Sequence, residues 1–142
     1  MRYHFHIINE DSGFSAHCLE IEGLRTQGNT FKELENNIRE VFDLWFSDLN
    51  GYEDIPKPMK ILPNDMDSNL KAVPVSLDIA FRLELYWKRK EKGLTQREMA
   101  KLLGYNNLSA YQKIENGKSI PTLKIVDRIS RMIPGLRDAL FN

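Results

Sequence analysis

The sequence predicts an α+β chain in two parts: a small antiparallel sheet covered by one helix, then an all-helical domain containing a helix-turn-helix. Three features of the residues carry that expectation. Apolar and polar residues alternate through the first 28 positions, the period of half-buried strands, whereas from about Leu77 onward apolar residues recur at intervals of three and four. Between these regions Gly51, Pro56, Pro58, Pro63 and the polar tract Asn64 to Asn69 follow neither period, as expected of a loop at a domain boundary. Charge divides in the same way, because residues 1–78 hold 7 Lys+Arg against 14 Asp+Glu while residues 79–142 hold 13 against 6.

Taken in order, Tyr3, Phe5 and Ile7 alternate with Arg2, His4 and His6 and run into an Asn9–Gly13 turn. Phe14, Ala16 and Cys18 form the matching side of a second strand, so residues 3–21 read as a hairpin. Leu24 to Gln27 reads as a third strand closed by Gly28. Three strands need a covered face. Thr30 and Glu33 have the spacing of a capping box at a helix start, and Phe31, Leu34, Ile38, Val41, Phe42, Trp45, Phe46 and Leu49 then form a wide apolar stripe. This helix is the expected cover. After the proline-rich stretch, Val73-Pro74-Val75 reads as a short strand that must lie at an edge, since Pro74 has no N–H for a ladder.

The remainder is helical. Ile79, Ala80, Leu83, Tyr86 and Trp87 space out one helix, which ends in Lys88-Arg89-Lys90 and Gly93, with cations where the helix dipole favours them. Thr95 with Glu98 makes a second capping box, and Met99, Ala100, Leu102 and Leu103 form the apolar side of the next helix. Gly104 marks the turn. A helix from about Leu108 to Asn116 puts Tyr111 and Ile114 inward and leaves Asn107, Leu108, Ser109, Gln112 and Lys113 on or near its outer side. Side chains of this kind on a helix in the major groove reach base edges, which makes these five the candidate base readers. Leu123, Val126, Ile129 and Met132 pattern another helix, and Pro134-Gly135 precedes a last helical turn to Phe141.

Composition narrows the function classes. With 142 residues, 42% hydrophobic and 28% charged, the chain reads as globular. No apolar run approaches the roughly 20 residues of a membrane helix, and the N-terminus lacks the apolar centre of a signal peptide, so the cytoplasm is the expected compartment. A lone Cys18 cannot form an internal disulfide and has no companion thiol for a metal or redox site. His4, His6 and His17 lack a clear third ligand and read as solvated or hydrogen-bonded strand histidines, so neither metal nor cofactor is expected. Serine-triad, Cys-His and glycine-rich phosphate motifs are missing, and the first strand carries no carboxylate for two-metal nuclease chemistry, so no enzymatic activity is expected. The charge division instead suggests a polyanion partner for the basic half and a basic partner for the acidic one. Glu20, Glu22, Glu33, Glu40 and Asp43 are the candidate acidic face, which suits a protein partner better than an apolar ligand pocket. A repressor whose N-terminal domain senses a small molecule is the alternative.

Residues 79–133, with LTQREMAKLLG from Leu94 and KIENGKSIPTL from Lys113, resemble the helix-turn-helix of the lambda-repressor-like (XRE) family. The resemblance implies phosphate contacts from Gln96 and Asn116 and base contacts from positions Asn107 to Lys113; Lys118, a cation just beyond the helix, is a further candidate phosphate contact. One residue more than in many such repressors lies between Gly104 and Ile114, which leaves the register of the first base-reading positions open by one. The N-terminal start MRY, the Gly13-Phe14 hairpin, Leu24 to Gly28 followed by Thr30, and the Pro-rich exit resemble the HicB antitoxin domain, although Gly23-Leu24 stands where that family commonly has Gly-Cys. That second resemblance implies a partial RNase H-like fold, binding to a HicA-type mRNA-cleaving toxin, and repression of the chain's own operon through operator DNA. The expected organisation is a toxin-binding domain at 1–55, a linker at 56–72, a connecting strand at 73–77 and a helix-turn-helix domain at 78–142. A homodimer or higher oligomer is expected because one helix-turn-helix reads only a half-site.

Overall fold

A computed structural model describes residues 1–47 and 55–141, and the chain divides into two compact units, Arg2–Val75 and Ser76–Asn142. Three positions from the sequence reading, Leu49, Asn50 and Gly51, lie outside the described residues.

In the N-terminal unit, β1 (Arg2–Glu10), β2 (Gly13–Cys18), β3 (Arg25–Gly28) and β4 (Leu70–Pro74) form one sheet in the order β3-β2-β1-β4, each neighbouring pair antiparallel. Alternation along the strands puts Tyr3, Phe5, Ile7, Ala16 and Cys18 on one face, all buried. α1 (Phe31–Ser47) covers that face with Leu34, Ile38, Phe42 and Phe46, one residue per turn. Phe42 meets Tyr3 and Phe5 edge to face, with ring centres 5.7 and 5.9 Å apart. Burying such a ring contributes roughly 1.5–3 kcal/mol, so these aromatics fix how the helix sits on the sheet. The buried stripe is narrower than the apolar pattern of the sequence: Phe31 is 48% exposed, and Val41 and Trp45 are half-buried. Gly28 lets the first turn of α1 approach the sheet, since a Cβ there would lie 2.6 Å from the backbone nitrogen of Leu34.

Three boundaries differ from the sequence reading. The third strand begins at Arg25, because the backbone of Leu24 is occupied in a turn, donating to Ile21 and accepting from Cys18. The strand expected at 73–77 is β4, shifted to Leu70–Pro74, where it pairs with β1 from His6↔Leu70 to Arg2↔Pro74. Pro74 does lie in an edge strand, and the Arg39 guanidinium donates to its carbonyl at 2.9 Å. The stretch read as a linker, 56–72, belongs to this unit: the Tyr3 hydroxyl donates to the Pro56 carbonyl at 2.8 Å, the Met59 N–H donates to Glu20, and Pro63–Asp65 forms a 3₁₀ turn.

The C-terminal unit consists of α2 (Leu77–Glu91), α3 (Gln96–Leu102), α4 (Leu108–Glu115), α5 (Leu123–Met132) and α6 (Leu136–Phe141). Its core includes Phe81, Leu85, Met99, Ala100, Leu103, Tyr111, Ile114, Val126, Ile129 and Leu136. Leu102, Leu123 and Met132, expected inside, are 52%, 78% and 45% exposed, each at a helix end. Tyr86 is likewise half-buried, while Phe81 and Leu85 take the interior of α2.

Candidate nucleic-acid interface

The turn between α3 and α4 sets the geometry of the candidate surface. Thr95 caps α3 through a complete capping box: its hydroxyl accepts from the Glu98 N–H at 3.1 Å, and the Glu98 carboxylate accepts from the Thr95 N–H at 3.2 Å. At the other end, Gly104 N–H donates to the Lys101 carbonyl and Tyr105 N–H to the Ala100 carbonyl, with Gly104 at φ +81°. This pairing terminates a helix through a left-handed residue, a conformation glycine adopts without steric cost. Tyr105 folds inward against Tyr111, with ring centres 5.9 Å apart, and Arg128 stacks on it while donating to the Leu103 carbonyl at 2.9 Å.

Asn107 then caps α4, its side-chain oxygen accepting from the Ser109 N–H at 2.8 Å. Its side-chain oxygen is therefore engaged at the helix start, on an exposed residue whose side-chain amide N–H groups are not part of the cap. Leu108 is half-buried, Ser109 and Lys113 are exposed, and Gln112 is half-buried. Gln112 and Lys113 lie three and four residues after Ser109, and Asn116 lies four and three after them, so the four share a face. Asn116 is the exposed C-cap of α4, and Lys118 lies exposed in the next turn.

Gln96 and Gln112, from α3 and α4, are joined. The Gln112 amide donates to Gln96 Oε1 at 3.0 Å, and Gln96 Nε2 lies 3.4 Å from Glu115 Oε1. Glu115 is 1% exposed and sits inside the helix-turn-helix. It accepts from Arg89 Nε at 3.0 Å and Nη2 at 2.7 Å, and from the Tyr111 hydroxyl in a very short hydrogen bond. A third Arg89 nitrogen, Nη1, donates to the Leu94 carbonyl at 3.0 Å. Burial pushes the Tyr111 hydroxyl far up from its ordinary pKa, and the Glu115 carboxylate pushes it further. Burial works to lower the Arg89 pKa, yet the hydrogen bonds to Glu115 leave it raised, so the guanidinium keeps its charge. The network runs from the interior of α2 through α4 to the outer-face amide of Gln112. Sequence reasoning missed its centre: Arg89 was assigned to the helix dipole and Glu115 to no role. A signal was present, because Glu115 follows Tyr111 by four residues and so lies on the inward face, where a carboxylate needs a cation.

The candidate acidic residues separate in the structure. The Glu20 side chain is 1% exposed and is not part of an accessible face. Its carboxylate accepts from the His4 N–H and from Nδ1 of His4, each at 2.8 Å, and from the Met59 N–H at 3.1 Å. It therefore pins the 55–60 stretch to β1. Glu33 is exposed, but its carboxylate accepts from the Asn29 N–H at 3.2 Å, while Thr30 caps the Glu33 N–H at 3.1 Å. Glu22, Glu40 and Asp43 are exposed, and Asp43 lies 3.7 Å from Arg39. Glu33, Glu40 and Asp43 share the outer side of α1 by their spacing. Cys18 lies 3.7 Å from Glu20, but burial pushes its thiol up to about 11, so at neutral pH it is protonated and poorly nucleophilic. Among the described residues no group of three or more His, Cys, Asp or Glu is placed to hold a metal ion, and no helix is long and apolar enough to cross a membrane.

Two short helices locked at a fixed angle, with the second presenting polar side chains from one face, define a helix-turn-helix module. Residues 85–134 match a family model described as Helix-turn-helix. A protein of Bacillus phage phi105 described as "ImmF control region 10 kDa protein" is 48% identical over 46 residues, which cover 32% of this chain and 50% of that protein. The chain thus spans about half the length of the relative it matches.

Proposed function

We propose that this chain is a DNA-binding transcriptional regulator that represses its own operon, with α4 lying in the major groove of the operator. The observation that carries this reading is the Gln96–Gln112 hydrogen bond, which holds an outer-face amide of α4 in place at the end of a buried network. A side chain held in advance loses less entropy on meeting a base. Ser109, Gln112 and Lys113 are assigned to base edges, with Leu108 beside them, and Asn116 and Lys118 to phosphates. Gln96 supports Gln112 and reaches the backbone with its remaining N–H. The C-terminal unit acts as a dimer on two half-sites about one helical turn apart. Mobility-shift titration with DNA from upstream of the chain's own gene tests the reading. Saturable binding that outcompetes unrelated duplex is expected, and no binding at low salt would sink it.

The acidic N-terminal unit is assigned the role of a HicB-type antitoxin domain, its α1 face of Glu33, Glu40 and Asp43 covering the basic surface of a HicA-type RNA-cleaving toxin. The partial RNase H-like description belongs to the same proposal. Support comes from the charge division and from the exposure of these three carboxylates on one helix side. Co-expression with the protein encoded beside it is the test. Suppressed RNA cleavage and a stable complex are expected, whereas a lone dimer carrying a bound metabolite would favour the sensing repressor instead.

A further inference from the structure

On the face of the sheet opposite α1, His6 of β1 and His17 of β2 are directly paired across the strands. Their rings lie 5.2 Å apart centre to centre and are inclined by 65°. His6 is half-buried and His17 exposed. We propose that His6 and His17 form a two-ligand chelating site for a divalent first-row transition metal ion of the kind imidazole favours, Zn²⁺, Ni²⁺ or Cu²⁺, with water in the remaining positions.

The spacing suits the chemistry. A metal–nitrogen bond of about 2.0–2.1 Å, added to the roughly 1.2 Å from an imidazole nitrogen to its ring centre, puts an ion about 3.2 Å from each ring centre. Two centres 5.2 Å apart then subtend roughly 109° at the ion, close to the tetrahedral angle that zinc prefers. The hydrogen-bonded ladder from Phe5↔Cys18 to Glu10↔Gly13 holds the two backbones in this register, so little is lost in bringing the ligands together. Only the terminal torsions must turn the nitrogens inward, and the χ2 of histidine is broad.

The surroundings define the site as an open one. His4 lies on the same face two residues along β1, but its ring is buried and held by Glu20 through Nδ1, away from the open site. Arg25 is the β3 partner of His17, and its long exposed side chain can carry the guanidinium away into solvent. With two protein ligands, the ion keeps exchangeable positions for water or for a donor from a second molecule.

Zinc chloride titrated into the full, ¹⁵N-labelled chain in a non-coordinating buffer tests the site by histidine-ring NMR and calorimetry. The expected result is one ion per chain, with the His6 and His17 rings shifting together and His4 unmoved. His6→Gln and His17→Gln are each expected to weaken binding by roughly a hundredfold, the gain a second tethered ligand brings. Unchanged affinity in His6→Gln would reduce the site to one solvated histidine and overturn the proposal. Binding that survives in the double variant would overturn it as well. Ser15→Ala, on the same face with no ligating nitrogen, is expected to bind as the parent does.

Discussion

The Gln112 amide donates to Oε1 of Gln96 at 3.0 Å, so the outer face of α4 is tied to the first residue of α3. This bond leaves Gln112 with its Oε1 and second N–H, an acceptor and a donor on one half-buried amide. Such an amide can pair with both edge atoms of an adenine, so under the proposed function Gln112 is the position expected to set base preference.

Gln112→Ala and Lys113→Ala are each expected to weaken operator binding by roughly 1–3 kcal/mol where a base contact is lost. Gln96→Ala is expected to cost less alone, and almost nothing once Gln112 is gone, because its main effect passes through that amide. A double-mutant cycle measured by fluorescence anisotropy on operator DNA checks this coupling. Additive losses would mean that the two glutamines act separately. Asn107→Ala is expected to reduce helix stability by about 0.5–2 kcal/mol through the lost cap. Any change it makes in DNA affinity is expected to be uniform across sequences.

Arg89 and Glu115 form the second test. Their side chains are 10% and 2% exposed, so removing either strands a charge in the interior. Glu115→Ala or Arg89→Ala alone is expected to destabilise the C-terminal unit by about 3–5 kcal/mol. Replacing the pair together with Met and Leu is expected to cost much less, since no lone charge remains. Urea unfolding followed by circular dichroism reads all three variants. A double replacement as damaging as the singles would show that the pair is worth more than its own desolvation. The double variant is also expected to bind operator DNA more weakly than its stability implies, because Gln96 loses a partner.

What the sequence made legible was local. The capping box of Thr95 and Glu98, the cap at Thr30, the hairpin alternation and the four-residue rhythm of Leu34, Ile38, Phe42 and Phe46 all depend on neighbours within one or two turns. What stayed hidden depends on distant partners. Glu20 looked like a surface acid until the Met59 N–H, 39 residues away, arrived on it, and Arg89 looked like one of three terminal cations until Glu115, 26 residues on, was set beside it. Chain ends of apolar patterns misled for a related reason. Periodicity marks Leu123 and Phe31 as helix-face residues, but whether a face is covered at its last turn depends on where the next element stops. At the candidate interface, the stacking of Arg128 on Tyr105 was not legible, since Arg128 lies on another helix.

The thiol of Cys18 gives a pH prediction. Burial raises it from an ordinary value of 9.0 to about 11, so the folded chain keeps a proton that the unfolded chain gives up between those values. The native state then binds more protons than the unfolded one, and stability falls as pH rises from about 9 through 11. A shift of this size is worth at most about 2–3 kcal/mol. Urea midpoints of the N-terminal unit at pH 8 and at pH 10.5 are expected to fall further in the parent than in Cys18→Ala. Alkylation of Cys18 in the native chain at pH 8 is expected to be slow, and a rate equal to that of the urea-unfolded chain would contradict the burial.

The α1 carboxylates offer the test that separates the two units. Glu40→Lys removes an exposed charge that makes no hydrogen bond essential to the helix, so its fold cost is expected to stay within about 0.5 kcal/mol. Under the antitoxin reading it weakens binding to a basic partner, chiefly by slowing association at low salt. Glu33→Lys alone cannot give a clean answer, because the Glu33 carboxylate also accepts from the Asn29 N–H at the start of α1. It is therefore expected to lower both stability and partner affinity, and comparison with Glu33→Gln isolates the charge. Glu20→Gln is expected to act in the opposite sense, disturbing the hold on His4 and Met59 while leaving the outer charge of α1 intact. Surface plasmon resonance with the toxin, run in parallel with operator binding, reads these variants. Loss of toxin association in Glu40→Lys with unchanged DNA affinity would assign the two partners to separate units, and equal toxin association rates in parent and Glu40→Lys would place the toxin on another face.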